Sequence, residues 1–314
     1  MMNPPFPNLA VFQEHHRWVA EDTCRSISRS NRYRGWDFGQ FWADACKLNA
    51  ANPGVRSSLA ANLVSEFEAV VDELPRPALF VTIVSSDYIE GGRHFLTQGL
   101  VEMRCRMHGL LGWFDALGVI EPAYYPQPAN WLLGKYHPSS PIIHWHAHAL
   151  VFGSHIDEME KILNFALRDV TGITKDFRPF HVRTLNSKWP FPELFYVLKL
   201  PRKAYRVRRF GQQVPYETGS DTPVQPPKPP RHNKRDLRPG EMLLLLEKLA
   251  KWRISDLAFA SKGLEPVLVR ALAATRVRMG QQAACLLTDE RQYVAEFNRL
   301  EYELMLKNPL QLMR

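Results

Sequence analysis

Apolar positions along the chain fall into two rhythms. "SSLAANLVSEFEAVVDEL" (57–74) carries them at helical spacing, within a stretch from residue 8 to 75 that reads as helical and irregular, and Pro75 and Pro77 stop it. "ALFVTIVSS" (78–86) is a β-branched run and predicts a buried strand. "RHFLTQGLVEMRCRMHGLLGWFDAL" (93–117) returns to the helical period and predicts a helix ending near Gly118. "GVIEPAYYP" (118–126) predicts a second strand, and a Pro- and Gly-containing insertion leads to "PIIHWHAHALVFG" (141–153), a third. "IDEMEKILNFALRDVTG" (156–172) predicts an amphipathic helix with acidic residues in its first turn. "RPFHVRTLN" (178–186) predicts a fourth strand, and "FPELFYVLKLP" (191–201) a short helix between prolines.

The predicted order is β-α-β-β-α-β-α. It implies an α+β fold whose central antiparallel sheet is ferredoxin-like or RRM-like, with helices on one face and the third strand in the middle beside the first. Four regions follow. Residues 1–77 form an N-terminal helical extension and 78–210 the domain that carries the sheet. Residues 211–241, rich in proline and basic groups, read as a linker or extended arm, and 242–314 as a C-terminal helical region. There is no internal repeat and no glycine-rich phosphate loop.

Composition narrows the partners. The 314 residues allow a large core and two domains, and 45% apolar with 23% charged residues is ordinary for a soluble globular protein. Lys and Arg outnumber Asp and Glu by 40 to 32, a net charge of +8, which favours a polyanionic partner. Cys24, Cys46, Cys105 and Cys285 are far apart and form no CxxC, so reduced thiols in a cytoplasmic protein are expected. No apolar run is long enough for a membrane span and the first residues lack a secretory pattern, so no membrane partner is expected.

His144, His146 and His148 stand at alternate positions of the third strand, so all three share one face, while Ile143, Trp145, Ala147, Ala149 and Val151 share the other. Residues two apart lie roughly 6.5–7 Å apart along a strand, and neighbouring imidazoles can converge on one metal ion with bonds of about 2.0–2.1 Å. Three in a row span roughly 13 Å, too far for one ion without strain. Two of them plus a carboxylate from a neighbouring strand make the better set. A row of half-exposed histidines bonded to water or backbone also satisfies the pattern.

On the short helix, Tyr196 and Lys199 are three apart and predicted to share a face, with Glu193 one turn earlier. A phenol is a poor nucleophile when free, and a lysine and a metal-polarised phosphate would help it attack. A surface tyrosine and lysine on an amphipathic helix fit the same spacing. Beyond them, "KLPRKAYRVRRF" interleaves Arg202, Lys203, Arg206, Arg208 and Arg209 with Tyr205 and Phe210. Cations for phosphates and rings for stacking suit single-stranded nucleic acid, against the alternative of a solvated helical face.

In these motifs and their order the chain resembles the HUH (His–hydrophobic–His) endonucleases, in particular single-tyrosine initiators of rolling-circle replication. "FVTIVSS" (80–86) is similar to the first family motif, "HAHALV" (146–151) to the second, with His144 giving the extended His-x-His-x-His form, and "YVLK" (196–199) to the third. The resemblance covers roughly residues 78–210. It implies nicking and joining of single-stranded origin DNA of a plasmid, phage or mobile element through a 5′-phosphotyrosine on Tyr196. It implies Mg²⁺ or Mn²⁺ held by His146, His148 and Glu121, with Lys199 placing or neutralising the phosphate, and a host helicase or polymerase as a further partner. Some members use a glutamate one turn before the tyrosine to activate water, which makes Glu193 a candidate, and its place in the first turn after Pro192 also suits a plain helix-dipole role. A single-strand transposase shares this chemistry. A non-catalytic nucleic-acid-binding protein on an RRM-like sheet, and a metal-dependent hydrolase of another substrate, are the competing classes.

Overall fold

The computed structural model describes residues 6–28, 47–91, 97–126, 141–170, 178–185, 190–208 and 231–288. In chain order the elements are α1 (Leu9–Ser28), α2 (Pro53–Glu68), β1 (Ala78–Gly91), α3 (Thr97–Leu111), β2 (Asp115–Tyr125), β3 (Ile142–Phe152), α4 (Ile156–Ala166), β4 (Phe180–Leu185), α5 (Phe191–Leu198), β5 (Lys203–Arg208), β6 (Arg231–Asp236), α6 (Pro239–Leu249), α7 (Ile254–Leu257), β7 (Ala258–Ser261) and α8 (Glu265–Thr288). The chain is mixed helix and sheet, as the two hydrophobic periods require.

One seven-stranded sheet runs β4-β1-β3-β2-β5-β6, and β7 also pairs with β2. β4, β1, β3 and β2 pair antiparallel throughout, whereas β5 joins β2 in parallel at Tyr124 and Ala204, so the sheet is mixed rather than purely antiparallel. β3 lies between β1 and β2, as expected, and every residue from Ile142 to Phe152 is buried. β1 is longer than its β-branched run suggested, because it resumes pairing with β3 after an irregularity. Val84 opposes His146 and Ile89 opposes His144, so the four residues 85–88 of β1 stand against Trp145 alone on β3.

Other boundaries also move. The helix expected over 93–117 is described from Thr97 and ends at Leu111, where the Gly112 N–H bonds back to His108 O. Asp115, Ala116 and Leu117 belong to β2 instead, paired with β3. α4 stops at Ala166, short of 172. α5 ends at Leu198, and Lys199 is its extended cap (φ −59°, ψ 151°) rather than a helical residue. Residues 231–241, read as the end of a linker, form β6 and the start of α6. β6 is held by antiparallel pairing with β5 from Lys203–Asp236 to Arg208–Arg231, and residues 211–230 lie outside the described set. The C-terminal region is not helical throughout. "AFAS" is β7, which pairs Ala258–Ser261 with Val119–Ala116. Gly118 makes this crowded crossing possible, since a side chain there would collide with His148 O and the Phe259 ring.

The helical ends and the sheet share one hydrophobic core. It takes in Phe12 and Val19 of α1, Leu59, Leu63 and Phe67 of α2, Leu243 and Leu246 of α6 and Val267 and Ala271 of α8, together with the sheet residues Leu79, Ile83, Ile120 and Leu150. Phe67 meets Phe152 (centroids 5.8 Å) and Phe191 (6.2 Å), and Phe12 stacks on Phe195 (5.3 Å), so α1 and α2 seat α5 against the sheet. Among the described residues Cys105 is a free thiol, and no described helix is long and apolar enough to cross a membrane.

Two polar side chains in this core tie α5 down. Arg56 of α2 is fully buried and donates through Nε to Ala50 O (2.7 Å) and through Nη1 to Leu198 O (3.0 Å) and Lys199 O (3.2 Å), the carbonyls that the end of α5 leaves without helical partners. Burial lowers its guanidinium to about 10, with Glu121 acting in the opposite direction, so it stays charged at neutral pH. His16 of α1 is buried, with Nδ1 2.9 Å from Phe12 O and Nε2 accepting from the Leu200 N–H at 3.3 Å. That pair of bonds requires the neutral Nδ1–H tautomer, and burial accordingly lowers this imidazole to about 3. A folded value below the unfolded one means that stability is complete above about pH 6.5 and falls as the pH drops through that range. His16 should therefore cost about 2 kcal/mol of stability between about pH 7 and about pH 5. Denaturant melts of wild type and His16→Gln at the two pH values check this. The variant should lose less stability on acidification, and an identical loss would refute the assignment.

Candidate functional site

The site grows from register. Glu121 of β2 lies directly opposite His146 of β3, and Val119 opposite His148. Opposed residues share a face, so Glu121 joins His146 and His148. Their ligand atoms all lie within 4.8 Å of one another, and all three side chains are buried. His146 Nε2–H donates to Glu121 Oε1 at 3.1 Å. His148 Nε2 comes to 3.0 Å from the same oxygen but out of hydrogen-bonding alignment, and this buried nitrogen is left without a hydrogen bond. On its other side His148 Nδ1 meets Thr82 Oγ1 of β1 at 2.9 Å, so an Nδ1–H donated to the hydroxyl leaves the Nε2 lone pair directed at the site. Burial pushes this imidazole down to about 4, partly offset by Glu121, and keeps it neutral at pH 7. Two imidazoles, one of them with its buried Nε2 left without a hydrogen bond, and a carboxylate fit a divalent ion.

His144 stands apart from this group. The β1 irregularity brings Ser85 O to 2.7 Å from His144 Nε2, and a backbone bond is the role the strand gives this ring. Two of the three histidines thus meet the carboxylate, and His144 lies one step out along the strand.

Lys199 closes the carboxylate from the other side. Its ammonium donates to Glu121 Oε1 (2.9 Å) and Oε2 (3.1 Å) and returns to Tyr196 O (3.1 Å). Burial would raise the Glu121 carboxyl, but the Lys199 charge and the His146 bond hold it well below the usual carboxylate range. The Lys199 ammonium is also 3.6 Å from the centroid of the Tyr196 ring, so the tyrosine and lysine meet although the lysine lies past the helix end. The Tyr196 ring in turn meets His148 (5.4 Å) and Phe80 (5.9 Å) edge to face.

Glu193 lies at the start of the same helix, buried, with Oε1 accepting from Arg183 Nη2 of β4 at 3.1 Å. Arg183 lies 4.8 Å over the Phe80 ring, beside Tyr196. The basic run divides. Arg202 is 3.8 Å over the Trp18 ring of α1, and Lys203 donates to Asp236 at 2.7 Å. Arg206 and Arg208 are on β5 with side chains outside the described set, as is all of Arg209.

Sequence reasoning misses Arg56, Arg183, the stacking of Phe80 on the His148 ring (centroids 5.4 Å) and the support of His148 by Thr82. Thr82 and Phe80 were findable, because they sit at alternate positions of a strand expected beside the histidines. Arg56 carries no local signal, since its partners on α5 are 142 and 143 residues away. Comparison with protein-family models, curated proteins and solved structures gives no match for this chain.

Proposed function

We propose that the protein nicks and rejoins single-stranded DNA through a covalent bond to Tyr196. The observation that carries this reading is the contact of a phenol with a buried Glu-His-His group, Tyr196 lying against His148 while Lys199 bridges the tyrosine to Glu121. The β-α-β-β-α-β order of the elements from β1 to β4, with strands ordered β4-β1-β3-β2, supports a ferredoxin-like sheet of the type that carries such sites.

Glu121, His146 and His148 would hold Mg²⁺ or Mn²⁺, which supplies Lewis-acid polarisation of the scissile phosphate. Thr82 fixes the His148 ring and Lys199 orients Glu121. The Tyr196 oxygen forms a bond to phosphorus as the phosphorus–O3′ bond breaks, and the phenolic proton ends on the released 3′ oxygen. Rejoining reverses the exchange, so no phosphodiester energy is lost. Priming of replication by the 3′-OH, with a host helicase or polymerase, is part of the same reading.

Incubation of labelled single-stranded DNA with protein and Mn²⁺, resolved on a denaturing gel, tests it. A covalent protein–DNA band is expected. Binding without a band would favour a non-catalytic binding protein, and cleavage without an adduct a hydrolase. In the same assay Glu193→Gln should form the adduct and accumulate it if Glu193 activates water, and should release it like wild type if Glu193 serves only its Arg183 pair.

A further inference from the structure

We infer that Lys234 of β6, held on the Tyr205 ring beside the site, binds a backbone phosphate of the DNA strand that Tyr196 attacks. The inference rests on the strand-transfer reading above and adds to it a residue beyond the region of resemblance.

Three observations point there. First, Lys199 is taken, since both of its Glu121 contacts are at hydrogen-bonding distance; it is committed to holding a carboxylate, and an incoming phosphate needs another cation. Second, the β5–β6 hairpin extends the sheet at the end of β2 nearest the histidines. Tyr205 opposes Lys234, packs on Tyr125 of β2 (5.5 Å), and Tyr125 packs on His144 (6.3 Å). The Lys234 ammonium lies 5.2 Å over the Tyr205 ring, which gives an exposed side chain a fixed address. Third, its described neighbours on the hairpin are neutralised, Lys203 by Asp236 (2.7 Å) and Arg235 by Glu241 (2.6 and 2.7 Å), whereas Lys234 has no acidic partner among the described residues. Partial burial and the Lys199 charge lower its ammonium, and Glu121 raises it. An accessible cation on an aromatic ring, without an acidic partner among the described residues, is suited to a phosphate of a single strand.

The test uses Lys234→Ala, Lys234→Arg and, as a charge control far along the chain, Lys161→Ala on the exposed side of α4. Binding of a fluorescein-labelled oligothymidylate is titrated across salt concentrations, and the rate of adduct formation on single-stranded DNA is followed with Mn²⁺. Lys234→Ala should lower the log–log salt slope by about 0.7. It should weaken binding and slow adduct formation, while Lys234→Arg restores the slope and Lys161→Ala leaves it unchanged. A slope and adduct rate in Lys234→Ala equal to wild type would overturn the inference, as would an equal drop in Lys161→Ala. If wild type forms no adduct but the slope still drops only in Lys234→Ala, the strand-transfer reading fails and the phosphate contact stands.

Discussion

Tyr196→Phe is expected to erase the covalent protein–DNA band completely while leaving the protein folded and able to bind DNA. The reason lies in what surrounds the ring. The contacts of Tyr196 with Phe80, His148 and the Lys199 ammonium are all made by the aromatic ring, and phenylalanine retains that ring. The side chain is half-buried, so removing its hydroxyl leaves no cavity in the core. On the proposed function, affinity for DNA would come mainly from phosphate contacts elsewhere, which the substitution leaves alone. The measurement pairs the denaturing gel with a thermal melt and a binding titration. An undiminished covalent band in Tyr196→Phe would remove this residue as the nucleophile, and loss of the band together with the fold would leave the role to be tested by Tyr196→Trp, which keeps a ring but no phenol.

The second large effect belongs to Glu121→Gln. This carboxylate is the junction of the site, bonded to His146 and Lys199 and close to His148 Nε2. An amide of the same shape offers one oxygen and no charge. The buried side of Lys199 then loses its counter-charge, and breaking a buried pair of this kind costs about 3–5 kcal/mol, toward the lower end here because the lysine side chain retains 17% exposure. Affinity for Mn²⁺ should fall by on the order of 100-fold or more, beyond the loss usual for an outer partner of a ligand. Thermal melts with and without Mn²⁺ separate the two effects. Wild type should be stabilised by the metal, by about 2.7 kcal/mol at a hundredfold excess over Kd, and Glu121→Gln should not. His144→Ala provides the contrast, because its ring is bound to Ser85 O and it should keep the metal response. A metal response in Glu121→Gln equal to that of wild type would exclude the Glu-His-His group as the ion site.

How far these expectations could be read from residues alone follows the range of the forces involved. Alternation places three histidines on one face of β3 because strand periodicity is local, whereas Glu121 is singled out only by the resemblance to the HUH endonucleases, since its pairing with His146 depends on the register between two strands. The end of α3 was missed because Trp113 and Phe114 continue the apolar rhythm past Gly112, and only the capture of Asp115–Leu117 by β3 decides the boundary. β7 was invisible as four small or apolar residues flanked by helical patterns, since its pairing with β2 joins segments far apart in sequence. β6, "RHNKRD", has a composition that reads as loop or linker, and it is a strand only because β5 offers it an edge. The fate of His144 could not be foreseen either, because it depends on the irregularity between Val84 and Ile89, where Ser85 turns its carbonyl inward.

The bond from Arg56 to the end of α5 has a consequence for modularity. The helix that carries Tyr196 is not secured by the segment that contains it; its last carbonyls are held by a guanidinium from residue 56, and Phe195 leans on Phe12. A unit cut to residues 78–210 would keep every side chain of the Glu-His-His group and the tyrosine, yet lose the brace that sets the distance between them. Substitutions that shift Arg56 or Phe12 would therefore be felt at Tyr196, although neither residue touches the Glu-His-His group. The heritable unit of this site is therefore larger than its chemistry, and recombination could exchange it intact only with its N-terminal helices attached.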